Sequence, residues 1–398
     1  MHRVVVAVCI ALISLVACTT LDRAPVPEAQ VNEVTVLGRD DLRYWGDKVG
    51  VAPAQLLEKY GRLESHFPGI MHREHHYLVL SGGAENGAYG AGVLTGWTET
   101  GERPEFTLVT GISTGALIAP FAFLGSDYDA QLRTLYTTMG SDDLFERKGW
   151  LSILGSDSMA DTSPFQNQIA RFLTDAVLDA IAAEYLRGRQ LYIGTTNLDA
   201  ARPVVWNITR IAASGHPDAY PLIRSLFLAS AALPGMFPPV YVPVEGNHNQ
   251  PLDEMHVDGG VTAQLFFIPG DVDWQAMQTL LDVQGTPTLY VIRNAKMDAK
   301  YQPVAPNLMA IGGRTIGSLI RTQGMGDIYR LLYLSERDHI RLKATWIPAD
   351  AVTDVKIDEV FDTDYMRALF EYGRQKALAG EIWLGDSDRL NKQTERAQ

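Results

Sequence analysis

The pentapeptide Gly111-Ile112-Ser113-Thr114-Gly115 constrains this chain more than any other segment. Before it, Phe106-Thr107-Leu108-Val109-Thr110 has the composition of a short buried strand; after it, Ala116-Leu117-Ile118-Ala119 opens an apolar helix. A serine on a sharp strand-to-helix turn projects its hydroxyl into a cleft, beside a helix N-terminus that favours negative charge. Such a turn leaves no room for a Cβ on either side, which the flanking Gly111 and Gly115 satisfy. The pattern predicts a nucleophile elbow and therefore an α/β fold around it.

A serine nucleophile needs donors for an oxyanion and a group to take its proton. Ser81-Gly82-Gly83-Ala84-Glu85-Asn86-Gly87 lies between a β-favouring run, His76 to Leu80, and a helical run, Ala88 to Trp97. Small residues there expose successive backbone N–H groups that can converge on one oxygen. The competing readings are a plain glycine-rich turn and a nucleotide-phosphate loop. The segment has neither Gly-Lys-Ser/Thr nor the spacing G-x-G-x-x-G, which disfavours the second.

The base is the harder assignment. In the α/β-hydrolase order a histidine follows the acid. Only His339 lies beyond Asp258, in the charged stretch Ser335 to His339 that reads as a solvated helix end. His256 would share a face with Asp258 on an extended strand, as a site-lining or a packing residue. His75 and His76 precede a strand and read as structural. Asp258 ends the run Met255 to Asp258 and is followed by Gly259 and Gly260. That placement puts a carboxylate at the carboxyl edge of a parallel sheet, where the elbow also lies. The alternative is an ordinary Asp-Gly turn.

Further strands are predicted at 191–196, 203–208 and 288–292, with helices at 165–186, 222–233, 311–337 and 363–379. Their alternation implies a largely parallel sheet covered on both faces. Residues 40–64 carry a helical pattern of Leu42, Tyr44, Trp45, Leu56, Leu57 and Tyr60, read as a small helical preface. Residues 141–163 are turn-rich and read as a surface loop or flap. The domain reading is a leader at 1–17, a tether and preface at 18–72, a main domain at 73–345 and a C-terminal helical extension at 346–398.

The chain has 398 residues, 46% hydrophobic and 20% charged, which suits a globular fold with a real core. A net charge of −13 disfavours nucleic acid as a partner and electrostatic adhesion to anionic lipid, and leaves apolar contact with a membrane open. His2 and Arg3 precede the apolar run Val4 to Leu15, too short to span a bilayer. Leu15-Val16-Ala17-Cys18 resembles a bacterial lipobox, with cleavage before Cys18 and acylation of that residue. An ordinary secretory signal or a buried apolar helix would be the alternatives. The polar, proline-containing stretch Thr19 to Gln30 reads as a tether. The two cysteines are Cys9 and Cys18, so on this reading the mature chain has no thiol for zinc or for nucleophilic catalysis. No cofactor or metal is expected.

Four blocks in order resemble the patatin-like phospholipases: Gly82-Gly83-Ala84-Glu85-Asn86-Gly87, the elbow Gly111 to Gly115, Ala229-Ser230-Ala231-Ala232-Leu233-Pro234-Gly235-Met236-Phe237-Pro238-Pro239-Val240, and Asp258-Gly259-Gly260. The resemblance covers roughly residues 76–345. It implies a three-layer α/β/α sandwich with a central, mostly parallel sheet. It also implies a Ser113–Asp258 dyad without histidine, with Gly82, Gly83 and Ala84 as oxyanion hole. The substrate would be a phospholipid or other fatty acyl ester, cleaved by a lipid acyl hydrolase. Two positions depart from the family pattern. Ala84 stands where a third glycine is usual, and Asn86 where a basic residue is usual. An alanine N–H serves there provided the turn does not demand positive φ. With Cys18 lipidated, the enzyme would be anchored in a bacterial envelope, and by resemblance to Gram-negative lipoproteins Thr19, rather than an aspartate, after the cysteine implies sorting to the outer membrane. A carboxylesterase or acyltransferase on other esters, and a catalytically silent lipid-binding lipoprotein, are the alternative functions.

Overall fold

The computed structural model describes residues 23–48, 67–144, 146–147, 160–267, 273–299, 301–352, 354–355 and 360–384. Cys18, the apolar leader and residues 49–66 of the predicted preface lie outside the described residues. Among the described residues, no helix is long and apolar enough to cross a membrane.

The strands in chain order are β1 (Arg43–Trp45), β2 (His76–Leu80), β3 (Leu108–Ile112), β4 (Glu146–Arg147), β5 (Ala160–Asp161), β6 (Gln190–Asn197), β7 (Arg202–Asn207), β8 (Val240–Glu245), β9 (Pro251–Asp258), β10 (Thr288–Lys296) and β11 (Arg341–Ile347). Nine of them form one sheet in the order β1-β7-β6-β3-β2-β10-β11, with β9 joined to β6 and β8 to β9. The run β6-β3-β2-β10-β11 is parallel, and the pairs made by β1, β7, β8 and β9 are antiparallel. β4 and β5 form a separate antiparallel ribbon inside the segment read as a loop.

The main helices are α1 (Gly87–Glu99), α2 (Thr114–Leu124), α3 (Asp129–Thr138), α4 (Ser163–Phe172), α5 (Asp175–Arg187), α6 (Ala219–Ser230), α7 (Leu308–Arg337) and α8 (Thr363–Leu378). Alternate residues of β2 feed opposite layers. Leu78 and Leu80 join a core with α1, α2, α6 and α8. Tyr77 and Val79 join a second core with Ile328, Leu331 and Leu332 of α7. A sheet buried on both faces explains the near-continuous apolar strands.

Three expectations are corrected. Leu42, Tyr44 and Trp45 belong to no helix: residues 43–45 form an edge strand paired with Val204 to Trp206. Aromatic side chains suit that strand, and Arg43 there pairs with the buried Glu254. The described part of the predicted tether is not free chain. Arg23 pairs with Asp199 and Asp253, and Pro25 forms a β-bridge to Asp253. The helix expected over 165–186 is two helices. Thr174 breaks it, leaving the helical region with ψ 163° and accepting the Val177 N–H to cap α5.

The glycines of α1 serve two neighbours. Gly90 faces Asn294 on β10, whereas Gly92 and Gly96 lie against the backbone of α8. A Cβ on Gly92 would sit 1.9 Å from the Phe370 carbonyl oxygen. The C-terminal helix is therefore packed backbone to backbone on the helix that follows the glycine loop.

Candidate active site

The sheet register brings Ser113 and Asp258 together. β6 gives one side to β7, and its other side is shared end to end by β3 and β9. Ile112 at the tip of β3 lies opposite Gly194, and Asp258 at the tip of β9 lies opposite Thr195. The two strands thus meet head-on, and Ser113, one residue past Ile112, lies beside Asp258. Asp258 was expected at the carboxyl edge on a strand of the parallel set. It reaches that edge on a strand running the other way.

Ser113 has φ 55° and ψ −127°, outside the relaxed regions for a non-glycine residue. It is the only half-exposed residue of the run 111–114. Gly115 permits the turn because a Cβ there would lie 2.4 Å from the Leu80 carbonyl oxygen. Gly111 faces Gly115 across the elbow, and Gly87 packs on Thr114 and Tyr136. The Ser113 N–H donates to Ser230 Oγ over 3.1 Å, and the Ser230 hydroxyl donates to the Gly194 carbonyl over 2.7 Å.

Asp258 is 4% exposed. Burial pushes its carboxyl up to about 6, against the opposing pull of the hydrogen-bonded Ser113 hydroxyl and of the Gly260 N–H. The Gly260 N–H donates to Oδ1 over 2.7 Å, and Gly259 packs on the Gly194 carbonyl. This carboxylate is therefore held next to the serine with an affinity for protons well above that of an exposed aspartate.

Gly82 abuts the Ser113 side chain. Gly83 has φ 155°, and a Cβ there would lie 2.0 Å from the Asn294 carbonyl oxygen, so only glycine fits. Ala84 has φ 49°. The turn does demand positive φ, and alanine bears a strain of about 1 kcal/mol that glycine would not. The N–H groups of Gly82, Gly83 and Ala84 have no partner among the described residues. Asn294 braces this loop from β10: its N–H reaches Ser81 Oγ at 2.8 Å and its side-chain amide reaches the Ser81 carbonyl at 2.9 Å. Asn86 accepts from the Tyr365 hydroxyl of α8 at 2.7 Å.

Gln264 closes the third side. Its amide donates to the Gly260 carbonyl at 2.7 Å and to Gln323 Oε1 of α7 at 3.1 Å. Asp327 accepts the Gln264 and Leu265 N–H groups and so anchors that segment on α7.

The described histidines stay out of the site. His256 is fully buried behind it, within hydrogen-bond range of Thr195 and Glu254. Its burial pushes the imidazole toward the neutral form, against the pull of Glu254. His339 is exposed at the end of α7, next to the start of β11 and so at the opposite edge of the sheet. His75 is buried against the Ile70 carbonyl and Tyr77. Asn207, which opens a glycosylation sequon, is buried and caps the helix Ile208–Ala212 by accepting the Arg210 N–H.

The positioning residues Asn294, Gln264, Asp327 and Tyr365 escaped the sequence reading because each lies far along the chain in an unremarkable local pattern. Ser230 was inside the fourth block, but nothing local told its role. Among the described residues no cluster of side chains could hold a metal ion.

The chain is similar to VipD of Legionella pneumophila at 12% identity, over 77% of this chain and 67% of that one, with TM-score 0.37. It is also similar to ExoU of Pseudomonas aeruginosa in complex with SpcU, at 12% identity and TM-score 0.30, over 77% of this chain. It spans about half of ExoU, 52% in that structure. No curated protein sequence matches it. The family model described as patatin-like phospholipase matches residues 78–268, which contain the glycine loop, the elbow and Asp258. Residues 78–268 are a patatin-like phospholipase domain.

Proposed function

We propose that this protein is a lipid acyl hydrolase of phospholipase A or lysophospholipase type, working through an acyl-Ser113 intermediate with Asp258 as the only base. The observation that carries this reading is the Ser113–Asp258 contact, made on a strained turn beside three unpartnered backbone N–H groups.

In the forward step Asp258 takes the Ser113 proton as Oγ adds to the ester carbonyl. The N–H groups of Gly82, Gly83 and Ala84 receive the oxyanion, each such donor being worth about 3–4 kcal/mol in comparable sites. Collapse breaks the C–O bond to the alcohol, which leaves with the proton from Asp258. Water then gives a proton to Asp258 and adds to the acyl group; collapse frees the fatty acid and returns the proton to Ser113. An aspartate is a weak base, and a carboxyl raised to about 6 by burial is a better one at neutral pH. Asn86, in place of a cation, leaves the loop without charge selection for an anionic head group.

The leader and Cys18 extend the proposal: acylation at Cys18 would hold the enzyme at a bacterial envelope membrane, the outer one by the identity of Thr19. The test is a panel of phospholipid, lysophospholipid and short-chain nitrophenyl esters given to wild type, Ser113→Ala and Asp258→Asn. Long-chain lipids should be cleaved by wild type and by neither variant. Cleavage of short esters alone would make it a carboxylesterase.

A further inference from the structure

α7 is too long for its place in the sheet. Its 30 residues span about 45 Å. The strand it leads into, β11, has seven residues and spans about 23 Å. α7 ends beside the start of β11, so the surplus of roughly 20 Å emerges at the other edge, where β2, β3 and β10 end and Ser113 lies. Burial follows the same division. No described side chain from Leu308 to Gln323 is buried, and the first buried position of the helix is Gly324.

The overhang leaves the domain directly at the site, since Gln323 bonds Gln264, whose amide holds Gly260. At 100° per residue, Gln323, Leu319, Ile316 and Leu308 fall within about 80° of one another. One apolar stripe therefore runs outward from the site along the helix. Leu308 is 86% exposed, Ile316 56% and Leu319 65%. Arg314 and Arg321 fall on the opposite face. Residues 299–326 contain Lys300, Arg314 and Arg321 and no Asp or Glu, in a chain of net charge −13. An exposed apolar stripe backed by cations, in an otherwise acidic protein, complements one kind of surface: apolar within and anionic at its boundary.

We propose that residues 308–322 are a docking helix that seats the catalytic edge on an anionic phospholipid surface, with Leu308, Ile316 and Leu319 entering the acyl region. This rests on the reading of the site as a lipid hydrolase. It assigns α7 a role in presenting substrate that is separate from Ser113 chemistry.

The test uses the full chain carrying Cys9→Ser, Cys18→Ser and Thr315→Cys, the last labelled with an environment-sensitive fluorophore on the apolar stripe. Phosphatidylglycerol vesicles should shift the emission to the blue, and phosphatidylcholine vesicles should do so less. Adding Leu308→Asp, Ile316→Asp and Leu319→Asp should abolish the shift. In the unlabelled chain the same three changes should lower vesicle hydrolysis at least about tenfold and leave a soluble nitrophenyl ester untouched. A shift without any ester cleavage by wild type would support the docking helix and overturn the hydrolase reading. Absence of a shift on vesicles, or equal loss of soluble-ester activity, would overturn the docking helix. A shift without vesicles that grows with protein concentration would overturn it in favour of a second copy.

Discussion

The Ser113 backbone N–H is held by Ser230 Oγ at 3.1 Å. Ser230 is fully buried and donates its own hydrogen bond to the Gly194 carbonyl, so one hydroxyl pins the elbow of β3 to β6. Ser230→Ala leaves both groups unpaired, at a cost of about 1–3 kcal/mol. It should lower kcat for a soluble ester more than it raises KM, since the contact sets the attack geometry and touches no substrate. Urea unfolding and steady-state kinetics check both parts.

Ala84→Gly should stabilise the fold. The residue sits at φ 49°, where alanine is strained by about 1 kcal/mol, and glycine's greater unfolded-state entropy returns part of the gain. The expected net is a few tenths of a kcal/mol, read as a higher urea midpoint with unchanged slope. A lower midpoint would mean that the loop is relaxed with alanine.

Asp258 links activity and stability to pH in opposite senses. In the proposed mechanism Asp258 acts ionised, so kcat/KM for a soluble ester should fall about tenfold per pH unit below about 6. The folded carboxyl binds its proton more tightly than the unfolded one. Stability is therefore greatest when it is protonated, and falls as pH rises from 3.8 to about 6. Asp258→Asn should be inactive yet more stable than wild type at neutral pH, by up to about 3 kcal/mol, with the difference vanishing near pH 4. Equal stability of the two proteins at neutral pH would show that the carboxylate is not strained by burial.

Gly92→Ala should be severely destabilising. Its new methyl would meet the Phe370 carbonyl of α8 at 1.9 Å, and two packed backbones cannot both yield. A loss of about 3 kcal/mol, at the upper end of overpacking costs, is expected in thermal or urea unfolding. For the same reason, truncation before Thr363 should yield unfolded or aggregated protein. A truncated chain with full activity would make α8 an appendage.

The strand-to-helix turn at Ser113 and the strand end at Asp258 were legible because their signals are local. A serine between glycines after a strand, and an Asp-Gly-Gly after another, can each be read without the fold. The sense of β9 was not legible, because strand direction is set by pairing across the sheet and not by the strand itself. Tyr44 and Trp45 suit a helix face or an edge strand equally, and pairing with β7 decides between them. The bracing residues Ser230, Asn294 and Gln264 act through contacts between segments distant in sequence. The length of α7 was readable from its apolar pattern, but its overhang appears only against the shorter strand beside it.

In the proposed mechanism Ser113 is the nucleophile and Asp258 its activator. A fluorophosphonate probe reports it directly when the adduct is located by peptide mass spectrometry. Wild type should carry a single adduct on Ser113 and Ser113→Ala none, and labelling should be slowed about 100-fold or more in Asp258→Asn. Wild-type labelling rates in Asp258→Asn together with surviving ester turnover would contradict the proposed mechanism.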